Sequence, residues 1–170
     1  MSASEWGDAN RVKMDAAIRD HLARALSWEE ARAGFAKAVD TIPTDKRGAR
    51  AAGFDHSIWQ LVEHIRLAQA DILDFCVNAD YVHTMKWPDD YWPKAPAPPS
   101  AAAWTESLEG YARGLEGFRQ LVRDVDDLGA KVPTGKDSQT YLRSILLVID
   151  HTAYHVGQLV ALRRALGIWA

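Results

Sequence analysis

The sequence predicts an all-α fold: a four-helix bundle with an additional short helix and a long Pro-rich crossover loop. Three observations carry this. Apolar residues recur at spacings of three and four along most of the chain, no stretch shows clean strand alternation, and the helical stretches are separated by dense breakers. The 170 residues read as a single domain, 1–170, without internal repeats. A chain of that size can bury roughly two thirds of its unfolded surface, so it needs neither metal nor disulfide to stay folded.

A first helix is expected over Ala9 to Leu26. Ser27 followed by Glu30 has the spacing of a capping box and announces a second, shorter helix to Asp40, broken by "TIPTDKRGARAAG". A third starts at Asp55 or Ser57 and runs through "IWQLVEHIRLAQADILDF" to Val77. Ala79 to Ser100 then holds five of the seven prolines together with Tyr81, Trp87, Tyr91 and Trp92. That composition excludes a regular helix but carries too many aromatics for a loose tether, so it reads as a docked crossover, either a lid or a cover for the core.

The fourth helix is marked by Trp104, Leu108, Tyr111, Leu115, Phe118, Val122 and Val125, a seam of alternating four and three. Gly110, Gly114 and Gly117 run beside it and permit close approach by a neighbouring helix or a ligand. The last helix extends from Ser138 to Leu166 and stops at Gly167.

A net charge of -3 and the lack of a basic stripe argue against nucleic acid as a partner. The longest wholly apolar run, Ile145 to Ile149, is too short to span a bilayer, and "MSASEWGDANRVKMD" lacks the apolar core of a signal peptide. The expectation is a soluble, cytoplasmic protein with no membrane partner. The single cysteine, Cys76, reads as a small hydrophobe rather than a nucleophile.

The chemistry concentrates in histidines. His151 and His155 lie one turn apart and within about 40 degrees of each other on the helix wheel, so they can converge on one point. Val148, Leu159 and Leu162 flank them, whereas Arg143 and Asp150 lie elsewhere on the wheel. Imidazoles facing an interior need partners, which could simply be carbonyls or carboxylates. His64, on the third helix, shares its side with Leu61, Ala68, Ile72 and Phe75, with Gln60 one turn before it and Asp71 about two turns after. Taken together, three neutral imidazoles from two helices make an all-nitrogen site that suits a divalent ion: zinc or nickel first, iron or manganese as further options. Of the others, His56 either lines the same cavity or belongs to the helix start, His21 is a core-boundary residue or a fourth ligand, and His83 is solvated.

"SIWQLVEHIRLAQADILDF" followed by "YLRSILLVIDHTAYHVGQLVALRRALGIW" resembles the DinB/YfiT-like superfamily, with one His on the second long helix and HxxxH, usually followed by GQ, on the last. The matching positions are His64, His151 and His155, trailed by Gly157 and Gln158, and "KWPDDYWP" is similar to one branch. The resemblance implies a four-helix bundle with a long crossover, a central three-histidine divalent-metal site and frequent homodimers. It also implies, for some members, thiol-dependent S-transfer or isomerisation with a low-molecular-weight thiol of the mycothiol, bacillithiol or glutathione type.

The expected function is therefore a metal-dependent transferase that takes a small-molecule thiol and an electrophile. Gln60, Asp71 and Gln158 are candidates to orient the ligands, and Tyr154 and His56 are candidates for proton transfer. Two other readings stay open: a metal-dependent hydrolase, and a non-catalytic metal-binding stress-response protein.

Overall fold

A computed structural model describes residues 3–169, with side chains from residue 10 onward. The outermost positions of the expected 1–170 domain lie outside the described residues. Five α-helices and no strand occur among them: α1 (Ala3–Ala25), α2 (Phe35–Val39), α3 (Ile58–Val77), α4 (Ala101–Asp124) and α5 (Tyr141–Ala165). The chain is thus an all-helical bundle of four long helices and one short one.

Local chemistry sets the helix starts. Ser57 caps α3 with a full capping box: its hydroxyl accepts from Gln60 N, and Gln60 Oε1 accepts from Ser57 N at 3.0 Å. Ser100 and Thr140 cap α4 and α5 by accepting the amides of Ala103 and Arg143. The last helix therefore starts at Tyr141, three residues later than expected, because Thr140 and not Ser138 supplies the cap. It ends before Gly167, whose φ of 69° is the left-handed turn that favours glycine.

The second helix is much shorter than the Ser27–Asp40 expectation. The Ser27 and Glu30 side chains do not cap it: Arg119 donates to Ser27 Oγ, and Glu30 accepts from Arg24 at 2.8 Å. Only Phe35–Val39 winds, after Gly34, where Phe35 and Ala38 bury against the bundle. Tertiary docking of those residues outweighs the local cap signal.

Two buried clusters give the directions of the helices. One joins Ile58, Trp59, Trp104, Tyr111, Leu159 and Leu162, and the other joins Cys76, Phe118, Val122, Ile145 and Val148 with Leu22 and Leu26 of α1. The beginnings of α3 and α4 therefore lie at one end and their ends at the other. α3 and α4 run parallel, and α5 runs antiparallel to both. The glycines of α4 serve this pairing: a Cβ on Gly110, Gly114 or Gly117 would collide with Arg66, Gln69 or Leu73 of α3. The neighbour they admit is a helix, not a ligand. A parallel pair needs a return path along the bundle, and residues 78–100 provide it.

Two arginines tie the ends together. Arg19 of α1 donates to the carbonyls of Val122, Val125 and Asp126, covering the open C-terminus of α4 with a positive charge. Arg163, only 2% exposed, donates from α5 to Ala38 O at 2.8 Å and Ile168 O at 2.9 Å, and stacks over Trp169. α5 is long and apolar enough to cross a membrane by length and composition, yet it carries buried His155 and Arg163 and packs against α1, α2 and α3.

Replacing Arg163 with Ala should lower the unfolding free energy by about 3 kcal/mol, since the carbonyls at the end of α2 would be left without their charged donor. Urea denaturation followed by circular dichroism measures this. A loss below about 1 kcal/mol would show that water replaces the guanidinium at little cost.

Candidate metal centre

α3 and α5 cross at His64, His151 and His155. Each presents its Nε2 atom to the other two: His64 Nε2 lies 3.0 Å from His151 Nε2 and 3.1 Å from His155 Nε2. His64 is 1% and His155 7% exposed, so neither can rely on bulk water for its ring nitrogens.

The opposite nitrogens fix the protonation. His64 Nδ1 lies 3.0 Å from the backbone oxygen of Tyr91, which can only accept, so that nitrogen carries the proton. His155 Nδ1 donates in the same way to Gln158 Oε1 at 2.7 Å. In the neutral rings both Nε2 atoms are then bare lone pairs facing each other at 3.1 Å. Extra protons do not relieve the contact at neutral pH: burial, opposed by the Tyr91 carbonyl and reinforced by the neighbouring imidazoles, lowers the pKa of His64 to about 4. Burial and then the charge of His155 lower His151 to about 4 as well, and burial lowers His155. Converging lone pairs on neutral imidazoles are what a divalent cation takes as ligands, and these three residues could hold one. The donor set fits the ion. One feature is incomplete: His151 Nδ1 is buried without a hydrogen-bond partner among the described residues.

The crossover builds the wall around the three rings. Tyr91 not only accepts from His64; its hydroxyl donates to Asp71 Oδ2 at 2.6 Å, and Tyr81 donates to Asp71 Oδ1 at 2.9 Å. Asp71 thus acts on His64 through Tyr91, and both tyrosines are pushed upward in pKa by burial and by that carboxylate. Trp92 lies flat on His64, with ring centroids 3.7 Å apart, and His56 stacks on its other face at 3.6 Å. Further along, Gln60 Nε2 donates to Pro93 O at 2.8 Å and the Ser57 hydroxyl donates to Pro96 O. The strap therefore runs antiparallel along α3, fastened at Asp71, His64, Gln60 and Ser57 in turn.

The sequence-derived candidates separate accordingly. His64, His151 and His155 come together, Gln158 orients one of them, and Asp71 orients another through the strap. Gln60 does not touch the imidazoles, because its amide is spent on the capping box and on Pro93. His56 is screened from the three rings by the Trp92 indole. Tyr154 is 64% exposed and meets His155 edge-on from outside. Neither His56 nor Tyr154 lines the hollow beside His151, so their placement does not support proton transfer there. His21 is exposed and apart from the triad, and Cys76 is buried, its thiol pushed up in pKa by burial.

The strap contacts were not foreseen. The signal for them was the density of aromatics in "KWPDDYWP", which composition alone could not aim. The hollow beside His151, about 480 Å³, is lined by Trp87, Tyr91, Leu147, Asp71 and also Arg143. Arg143, just over two turns before His151 and about 80 degrees from it on the helix wheel, still reaches this space.

An all-helical bundle with three inward histidines on two helices defines a class of candidate metal proteins. A sequence profile of the DinB superfamily matches residues 27–159, and the chain belongs to that superfamily. No curated protein and no solved structure matches it significantly.

The pKa values set a pH dependence for the metal-free protein. The unfolded chain takes up imidazole protons near 6.5, whereas folded His64 and His151 refuse them until about 4. Stability is thus fully present above 6.5 and is lost as the pH falls from 6.5 towards 4. Urea midpoints measured across that window should fall with pH, and His151→Gln should flatten the slope. An unchanged slope in the variant would contradict the assignment.

Proposed function

We propose that this protein is a metal-dependent transferase that joins a low-molecular-weight thiol to an electrophile, in which His64, His151 and His155 hold a divalent ion, zinc or nickel before iron or manganese. The observation that carries the reading is the pair of proton-free Nε2 atoms of His64 and His155 at 3.1 Å, beside a hollow that leads from outside to His151. An ion held by three neutral imidazoles keeps its full charge and lowers the pKa of a thiol or water brought to it.

The chain's own residues supply the surroundings. Gln158 and the Tyr91 carbonyl hold two imidazoles in the tautomer that offers Nε2, and Asp71 keeps Tyr91 in place. Trp87 and Leu147 give the hollow an apolar wall against which an electrophile can lie, while Trp92 closes the far side of His64. The nucleophile comes with the substrate, since Cys76 is buried in the other core cluster. The thiol sulfur would attack the electrophilic carbon, forming a sulfur–carbon bond as the leaving group departs with its electron pair, and the thiol proton leaves to solvent through the open hollow. The open approach favours this over a closed structural ion.

Elemental analysis of the untagged protein should find close to one divalent ion per chain, lost in His64→Ala, His151→Ala and His155→Ala. Incubation with cellular thiols and a halobimane should give conjugation that chelation abolishes. Metal without conjugation by any thiol would return the protein to a hydrolytic or non-catalytic role, and absence of metal after reconstitution would remove the reading altogether.

The same reading includes a soluble, cytoplasmic homodimer formed through α5. Leu146 and Tyr154 are exposed on its outer side, and a Cβ on Gly157 would meet nothing within 4 Å, leaving room for a second helix to approach. Light scattering should give a dimer for the wild-type protein and a monomer for Leu146→Glu; a monomeric wild type would refute it.

A further inference from the structure

The hollow beside His151 does not end there. A second one, about 450 Å³, shares Asp71, His83 and Arg143 with it and continues to Thr134 and Lys136 in the turn before α5. The two form one groove that starts at the imidazoles and follows α5 toward its N-terminus.

Its far end carries unspent positive charge. Arg143 is the one arginine among the described residues with neither a side-chain hydrogen bond, an ion pair nor a ring to stack on. Lys136 has no side-chain partner either, and the neighbouring Asp137 is engaged by Lys131 at 3.6 Å. The carboxylate lining both hollows is Asp71, and its two oxygens are taken by Tyr81 and Tyr91, with His83 3.9 Å away. Asp71 makes no ion pair with either cation, and a guanidinium with free donors is the side chain best shaped for a carboxylate.

Length narrows the ligand. Arg143 and His151 are eight residues apart on one helix, about 12 Å along its axis. In a tripeptide with its thiol on the middle residue, sulfur and a terminal carboxylate are separated by about two residues, about 7 Å, and the long arginine side chain can span the remainder. We infer that the groove takes a carboxylate-bearing thiol of tripeptide size, its sulfur toward the three histidines and its carboxylate on Arg143, with Lys136 as a second cation. This rests on the thiol reading above for the sulfur end, but the carboxylate end stands on the groove itself. An uncharged sugar-based thiol would leave both cations unpaired.

The probe is S-methylglutathione, a thioether that cannot be consumed by conjugation, titrated into the metal-loaded protein and followed by tryptophan fluorescence and calorimetry. Saturable binding is expected. Arg143→Gln should weaken it about tenfold and Lys136→Gln severalfold, as loss of a charge-assisted hydrogen bond implies. The diethyl ester should bind the wild type as weakly as the free acid binds Arg143→Gln. Because Arg143 is exposed, its variant should keep the wild-type urea midpoint. His151→Ala should lose metal yet retain ester-sensitive binding. Equal binding of acid and ester, indifference to Arg143→Gln or no saturable binding would each overturn the inference. If no thiol is conjugated while S-methylglutathione still binds through Arg143, the transferase reading fails and the carboxylate groove stands.

Discussion

Imidazole nitrogens converging on one point in a dry interior, with the lone pairs of His64 and His155 facing each other at 3.1 Å, are the constraint on which the rest of this structure depends. Such a facing pair is repulsive unless a cation shares it, and it persists only where both rings are held from behind. His64 is held by a backbone carbonyl and His155 by a side-chain amide one turn along its own helix. The desolvation that keeps both rings neutral is the same burial that would make the convergence costly without an ion.

The strap follows from helix direction. Because α3 and α4 are parallel and pack closely through Gly110, Gly114 and Gly117, the chain must return along the bundle between them. It does so over the crossing of α3 and α5, so one connection closes the topology and walls the site. Its aromatic residues then have specific tasks: Tyr91 accepts from one imidazole, Trp92 covers that ring, and Trp87 faces the open side. The prolines suit this path, since the extended backbone has few internal hydrogen bonds to lose.

Charge is distributed by the same logic. Arg19 and Arg163 are used on carbonyls at helix ends, where a guanidinium can serve two or three acceptors at once. Other surface arginines, Arg24 and Arg113 among them, pair with acids one turn away. Arg143, at the mouth of a groove whose carboxylate is already engaged, departs from that pattern, and its position relative to His151 gives the groove a polarity: ligating nitrogen at one end, cation at the other.

The long helices were legible in the sequence because burying one side of a helix imposes a period of three to four that no other element shares. His64 with His151 and His155 was legible too, since helical spacing places side chains on a flank before any packing is known. The short second helix was misread, because the Ser27 and Glu30 signal is local, and long-range partners, Arg119 for Ser27 and the bundle core for Phe35, outweighed it. What tertiary structure alone decided was everything that depends on which elements become neighbours: that the strap carbonyl of Tyr91 holds His64, that Trp92 separates His56 from the site, that Gln60 is spent on a cap, and that Arg143 opens onto the hollow of His151. Periodicity tells which way a residue faces on its own helix; only the packed chain fixes what stands opposite.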